Sequence, residues 1–389
     1  MKFIAFRKPT TFIVFLFLAL SSCKNTNNNA EKETRDSKST DLFTIVSSNK
    51  LGINHGVIDS MDKAITTGEY PNIHSVLIAK RNKLVYEKYF TGKDEIWGTD
   101  LGEVTHNKNL LHDVRSISKT VVSLCIGISI NRGEIKSVDQ KISDFFPAYK
   151  VHLEGEKSNL TIRHLLTMSS GLEWNEDVPY DDPSNSEIQM TSSLDPIEFI
   201  LSRALISAPG EVWNYNGGTT QLLASIIYNV SGMSIDKYAE KYLFGPMEIQ
   251  SFEWTKFPEI NLPAAASGLR LTSRDLLKFG ILFSQNGKWE NTQIVPEEYL
   301  NDAMRSHITF GRNNNVGYGY QFWILSASTI VEGETHSIVA AFGNGDQRIY
   351  LDKNHDLIVI FTAGNYNKWT IKKDSEAILS DFIYPSFLN

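Results

Sequence analysis

The run Arg115-Ser116-Ile117-Ser118-Lys119-Thr120-Val121-Val122-Ser123-Leu124 decides how the rest of this 389-residue chain is read. Cys125, Ile126, Ile128 and Ile130 continue it. The segment is apolar nearly all the way round, which predicts a helix buried on most faces. Ser116 and Lys119 are three residues apart and so share one face of that helix. A serine hydroxyl is a poor nucleophile until a neighbouring base takes its proton. A lysine becomes that base only when its pKa falls, through burial or the positive end of a helix dipole. The start of an apolar helix is expected to supply both. An isolated Ser-x-x-Lys is more often solvated helix surface than a catalytic pair, so the weight rests on what accompanies it.

The chain is 41% hydrophobic and 11% aromatic, enough for a substantial core. A formal charge of −7 and no basic stretch argue against nucleic acid as a partner. Lys2, Arg7 and Lys8 precede the apolar run from Phe12 to Leu20, which reads as a targeting segment too short to span a bilayer. Leu20-Ser21-Ser22-Cys23 resembles the lipobox of bacterial lipoproteins. That resemblance implies cleavage after residue 22 and a lipid anchor on Cys23; the alternative is an ordinary secretory signal with Cys23 incidental. Residues 1–22 are thus expected to be a signal peptide and 23–49 a polar, flexible tether. Residues 50–389 would form the folded domain, held at the cell envelope of a bacterium. Cys23 and Cys125 are the two cysteines. They support no disulfide framework, and Cys125 reads as a small packing residue.

Apolar spacing from Ile53 to Thr67 predicts a first helix. His74 to Lys80 and Leu84 to Phe90, around Arg81-Asn82-Lys83, predict a β-hairpin, followed by a polar loop into the Ser116 helix. Short helices are expected at Thr161–Met168, Pro196–Leu205, Gln221–Val230, Ile235–Leu243 and Ser273–Ser284, the last with Ser273 as N-cap. Ser337–Phe342, Gln347–Leu351 and Leu357–Ala363 read as three strands, and Ile371–Ile383 as a final helix. The fold class expected is therefore α/β (α+β). One antiparallel sheet is built from both chain ends and flanked by helices, with a mostly helical insertion at about 130–260. The nine histidines are scattered along the chain without obvious partners, no metal-ligand spacing stands out, and no cofactor is expected.

Two further stretches carry chemistry. Tyr215 sits in the loop Pro209 to Gly217 before an apolar helix, where a phenol can hold a proton if a cation lowers its pKa. Gly343-Asn344-Gly345 lies at a strand end, where glycines let a substrate approach the backbone and an N–H can face an oxyanion. The bland alternatives are a packing tyrosine and a hairpin turn.

Ser116-Ile-Ser-Lys119, Tyr215 and Gly343-Asn-Gly345, in this order, resemble the serine β-lactamase and penicillin-binding protein superfamily, in particular its class C-like esterase and amide-hydrolase branch. The likeness covers roughly residues 50 to 385 and implies a β-lactamase/transpeptidase-like fold. It implies an enzyme with Ser116 as acylated nucleophile, Lys119 as its general-base partner and Tyr215 as the second proton-transfer group. The Ser116 N–H and a backbone N–H near Gly345 would form the oxyanion hole, with Gly343 and Asn344 beside the substrate.

Two departures bear on the substrate. Gly217 stands where the family often has Asn or Ser, which removes one side-chain hydrogen bond. The strand motif lacks the family's lysine, which binds a substrate carboxylate, so an uncharged small ester or amide is expected. Arg348 either substitutes for it or points elsewhere. The acidic loop Glu173 to Asp182 either borders the cleft, favouring an amine-bearing substrate, or is a solvated surface loop. The competing readings are a D,D-peptidase or β-lactamase, and a non-catalytic binding or sensor protein on the same fold.

Overall fold

The computed structural model describes residues 43–45, 52–312 and 315–387. The expected signal peptide, Cys23 and the tether up to residue 42 lie outside the described residues. Phe43, expected in the tether, is buried against the core instead.

Helix α1 (His55–Thr66) buries Ile58, Met61, Ala64 and Ile65 on one stripe and is capped by Asn54, whose side chain accepts from Gly56 N. Strands β1 (Ile73–Lys80) and β2 (Lys83–Tyr89) form the expected hairpin. Its two-residue turn, Arg81-Asn82, has φ of 51° and 58°, the doubly positive geometry that matches strand twist. The stretch expected as a polar loop is a second hairpin, β3 (Thr91–Ile96) with β4 (Thr99–Thr105), followed by the short β5 (His112–Asp113). The hairpin carries Lys93, Asp94, Glu95, Asp100 and Glu103 and so lacks the apolar alternation that marks a half-buried strand.

Helix α2 (Ile117–Asn131) is the predicted nucleophile helix, and every residue from Ile117 to Ser129 is buried. The helical insertion follows as α3 (Ile162–Leu166), α4 (Ser186–Thr191), α5 (Pro196–Leu201), α6 (Gly217–Ser231) and α7 (Ile235–Ala239), with α6 ended by Gly232 at φ 71°. Strands β6 (Glu253–Trp254) and β7 (Leu269–Leu271) join β5 in a small sheet of order β5-β7-β6. Helix α8 (Ser273–Ser284) is capped by Thr272 rather than Ser273: Thr272 Oγ1 accepts from Asp275 N at 3.1 Å. A minor hairpin, β8 (Lys288–Trp289) with β9 (Thr292–Gln293), and α9 (Glu297–Ala303) come next.

Strands β10 (Ile308–Phe310), β11 (Val316–Tyr318) and β12 (Trp323–Ser326) precede the three expected strands, β13 (Ser337–Gly343), β14 (Gln347–Asp352) and β15 (Leu357–Ala363). All pair antiparallel in one sheet of order β10-β11-β12-β13-β14-β15-β1-β2, so the first and last strands of the chain do pair, one strand in from the β2 edge. The C-terminal helical segment starts at Ser375 as α10 (Ser375–Ile378) and ends as α11 (Tyr384–Phe387). It starts later than residue 371 because the Asp374 carboxylate caps it, accepting from Ala377 N at 3.1 Å.

The central strands are apolar on both faces. Leu77 and Ala79 of β1 and Ile358 and Ile360 of β15 join the core on the α2 and α8 side; Val76, Ile78, Val359 and Phe361 join the core under α1 and the C-terminal helices. Helices cover both faces, so the strands read as continuous hydrophobic runs although they are antiparallel.

Candidate active site

The approach to Ser116 is held under backbone strain. Arg115 has φ 49°, a conformation that costs a non-glycine residue about 1–3 kcal/mol and persists only where its surroundings impose it. Here Val114 N donates to Leu269 O at 3.1 Å, fixing the chain on β7. The Arg115 guanidinium pairs with Glu95, lies 3.5 Å from Asp113 and covers the Tyr366 ring at 4.9 Å. The chain then turns into α2 and presents Ser116 at its first turn, 9% exposed.

Lys119 is 1% exposed. Its Nζ donates to Ser116 Oγ at 3.1 Å and to Ala266 O at 3.0 Å, and lies 4.9 Å above the centre of the Tyr215 ring. The Tyr215 phenol interacts with both Ser116 and Lys119. The three residues expected to cooperate are therefore in contact.

Two carboxylates complete the arrangement, and both escape a reading by motif. Glu187, on α4, places Oε2 at 3.7 Å from Lys119 Nζ and accepts from Ser267 Oγ at 2.6 Å. Glu176 comes from the acidic loop, which does border the cleft. It accepts from Trp174 Nε1 at 2.7 Å, Tyr180 OH at 3.1 Å and Gly217 N at 2.5 Å. Burial pushes Glu176 well above the usual carboxylate range, and the neighbouring Glu187 adds to this. Burial opposes the charge on Glu187 too, but Lys119, the Glu176 hydrogen bond and Ser267 hold it below that range. The two carboxylates are thus shifted in opposite directions, Glu176 toward its protonated form and Glu187 toward its ionised form, as expected for two facing carboxylates.

This charge corrects the expectation for Lys119. Burial does pull its pKa down, but Tyr215, Glu187 and Glu176 outweigh burial and hold Lys119 above the ordinary lysine range. Burial likewise pushes the Tyr215 phenol up, with Lys119 opposing. The shifts thus favour the ammonium form of Lys119 and the protonated phenol of Tyr215.

The missing side chain at Gly217 has a steric cause. A Cβ there would lie 2.4 Å from Glu187 Oε2 and 3.0 Å from Glu187 Cδ; the carboxylate of α4 fills the space. Gly217→Ala is expected to displace Glu187, lower the melting temperature and reduce turnover. Differential scanning fluorimetry and steady-state kinetics check this, and an unchanged kcat/KM would show that Glu187 tolerates the shift.

Ser116 lies where two clefts meet. The first, about 330 Å³, also includes Tyr215, Gly343, Asn344 and Gly345 and is walled by Trp213, Trp323 and Phe342. Trp213 stacks on Phe310 at 3.5 Å between centroids, and Trp323 on Phe342 at 5.3 Å. The second, about 370 Å³, runs from Ser116 past Arg115, Trp97 and Glu187. Asn344 borders both and is braced by Asn367, its Nδ2 donating to Asn367 Oδ1 at 2.8 Å and its Oδ1 accepting from Asn367 N at 2.9 Å. Gly345 needs its φ of 90°, and a Cβ there would strike the Tyr366 ring at 2.5 Å. Arg348 reaches the first cleft, but its donors are engaged: NH1 by Gly343 O and Gln347 O, each at 2.9 Å, and NH2 by Asp346 at 3.0 Å. Five of the nine histidines, read as scattered, converge: His74, His106 and His112 gather about Asp94, and His336 and His355 about Asp352.

A buried Ser-Lys-Tyr constellation at the edge of a helix-covered antiparallel sheet is that of a serine hydrolase. The Beta-lactamase family model matches residues 73–380, and the chain belongs to that family. Protein flp of Staphylococcus aureus is 24% identical over 255 residues, covering 60% of this chain and 48% of flp. The 6-aminohexanoate-dimer hydrolase of Paenarthrobacter ureafaciens is 22% identical over 269 residues, covering 64% of this chain and 65% of the hydrolase. The chain spans about half the length of the first of these curated relatives. Among solved structures, EstCE1, described as a hydrolase with promiscuous acyltransferase activity, shares the fold with a TM-score of 0.66 at 15% identity, covering 85% of this chain and 97% of EstCE1.

Proposed function

We propose that this protein hydrolyses a small, uncharged ester or amide through an acyl-enzyme on Ser116. The observation that carries the reading is the 3.1 Å contact of Lys119 Nζ with Ser116 Oγ beside the Tyr215 phenol, at the junction of two clefts. Of the two proton-transfer groups, Tyr215 is the one whose ionised form the adjacent ammonium supports; Lys119, flanked by Glu187, keeps its proton. In this reading the Tyr215 phenolate accepts the Ser116 proton as Oγ attacks the substrate carbonyl carbon. The Ser116 N–H and a backbone N–H of the Asn344-Gly345 turn receive the oxyanion. Collapse breaks the bond to the alcohol or amine, which leaves with the proton from Tyr215. Water then cleaves the ester on Ser116 with Tyr215 again as base.

An uncharged substrate is favoured by the aromatic wall of the first cleft and by the engagement of Arg348. The likeness to a 6-aminohexanoate-dimer hydrolase and to a hydrolase with promiscuous acyltransferase activity supports the reaction class. The lipobox-like Leu20 to Cys23 supports display at a bacterial envelope through a lipid anchor.

Intact mass and peptide mapping after incubation with a fluorophosphonate, and separately with a penicillin, test the reading. The expected result is a fluorophosphonate adduct on the peptide containing Ser116 and no stable penicillin adduct. A lasting penicillin adduct would replace the esterase reading by a cell-wall peptidase. No adduct with either reagent would leave a binding protein.

The proton inventory also sets a pH dependence. The acting base appears only when a proton leaves the Tyr215–Lys119 pair, and both groups are shifted upward. Activity is therefore expected to climb with pH through the alkaline range, above the ordinary tyrosine pKa of about 10, rather than level off near neutrality. Glu187→Gln removes the anion that holds the Lys119 proton and is expected to move this limb to lower pH. A kcat/KM profile of both proteins, on a substrate corrected for spontaneous hydrolysis, decides it.

A further inference from the structure

We propose that His74, Asp94, His106 and His112 form a closed, structural site for a divalent cation of the Zn²⁺ type. The four come from three separate strands and the loop before β5, and are 0%, 5%, 7% and 2% exposed. Their ligating atoms lie within 4.8 Å of one another. Tetrahedral Zn²⁺ with bonds of about 2.0–2.1 Å needs ligand atoms about 3.3 Å apart. His74 Nδ1 is 2.8 Å from His112 Nε2, His112 Nε2 is 3.6 Å from Asp94 Oδ1, and His106 Nε2 is 3.9 Å from Asp94 Oδ2. These separations bracket the tetrahedral edge.

The decisive point is where the heavy-atom contacts assign the ring protons. Asn72 is fixed by Lys93: its Nδ2 donates to Lys93 O at 2.9 Å and its Oδ1 accepts from Lys93 N at 2.8 Å. The oxygen of Asn72 therefore faces His74 Nε2, at 3.3 Å, and Nε2 carries the hydrogen. On the other ring, His112 Nδ1 faces the Asp113 carbonyl at 3.0 Å and must also be the donor. With both hydrogens on the outer nitrogens, His74 Nδ1 and His112 Nε2 turn lone pairs toward each other at 2.8 Å. His106 Nε2, buried beside them, has no hydrogen-bond partner among the described residues. Outer nitrogens donating to an amide oxygen and a backbone carbonyl are how metal-ligating histidines are oriented. Three buried imidazoles and one buried carboxylate, four ligands in all, suit Zn²⁺ and leave no open position for substrate.

The ring of His74 is also clamped: a Cβ at Gly92 would lie 2.8 Å from its Cδ2, and one at Gly364 2.7 Å from its Cε1. The second histidine group differs in its charge: two carboxylates, Asp352 and Glu334, lie within 2.8–3.4 Å of the nitrogens of only two imidazoles, His336 and His355. The proposed site adjoins the nucleophile without entering the chemistry. His112 lies four residues before Ser116, and Asp94 Oδ1 accepts from Tyr366 OH at 3.1 Å, beneath the Arg115 guanidinium.

The test is elemental analysis of the full chain purified without chelator from zinc-supplemented culture, followed by exchange for Co²⁺. One equivalent of zinc per chain and intense visible bands of tetrahedral Co²⁺ are expected. His106→Gln and Asp94→Asn should lose the bands, His336→Gln should keep them, and Asn72→Ala should weaken zinc binding by about 10–100-fold. Each variant is checked for folding by circular dichroism, and wild-type protein alone suffices if one fails. Absence of zinc together with absence of Co²⁺ bands in the folded wild type overturns the proposal, as does loss of the bands in His336→Gln alone.

Discussion

Ser116→Ala is expected to lower kcat/KM for ester hydrolysis by roughly 10⁴–10⁶-fold, the cost of removing a nucleophile whose partners act as one unit. The size follows from the absence of a substitute. Ser118, the other hydroxyl in the motif, donates to Arg115 O at 2.6 Å and accepts from Leu269 N at 3.1 Å, so it is tied to the backbone. Removal of the Ser116 hydroxyl leaves the clefts and the backbone N–H groups in place. Substrate binding should persist, and the melting temperature should change little. Kinetics of the purified variant with a chromogenic ester measure the effect; residual activity above one-tenth of wild type would mean that another group carries the acyl chain.

Lys119→Met has a second large effect, on stability as well as rate. Lys119 and Glu187 are a buried pair, and removal of one partner leaves an uncompensated charge, at a cost of about 3–5 kcal/mol. The double variant Lys119→Met/Glu187→Gln removes both charges and should regain most of that stability, because replacing a buried pair is close to neutral. It should not regain activity, since the cation that favours Tyr215 ionisation is gone, and a loss of about 10²–10⁴-fold is expected. Chemical denaturation and kinetics on the four proteins of this cycle separate the two roles. Recovery of turnover in the double variant would show that Lys119 serves folding alone.

The parts legible in the sequence are those in which local pattern and tertiary burial agree. The strands of the sheet centre, β1 and β13 to β15, were marked by β-branched runs between turn residues, and α2 by apolar residues on every face. Ser116, Lys119 and Tyr215 followed from spacing and order, and the structure brings them together. The β3–β4 hairpin was not legible because its charged residues, Asp94 buried and the others at or near the surface, break the apolar alternation that marks a strand. Strands β10 to β12 are only three or four residues long, shorter than a period can reveal. Glu187 belongs to no motif; its one trace in the sequence was the vacancy at Gly217. The histidine cluster depends on the packing of β1, the β3–β4 hairpin and β5, which belong to three different sheets and which no spacing along the chain brings together.

Residues 187 and 217 are thirty positions apart and share one volume. A descendant of this protein could exchange the carboxylate for a polar side chain at 217 only by way of a form in which that volume is filled twice or left empty. The first overpacks the centre of the molecule and the second strips Lys119 of its counter-ion. Neither single step is expected to be neutral, so the two positions are expected to change together. Across the branch that carries this protein, an acid at 187 should travel with glycine at 217, which makes the pair a marker for lineages that have rebuilt the charge balance around the nucleophile.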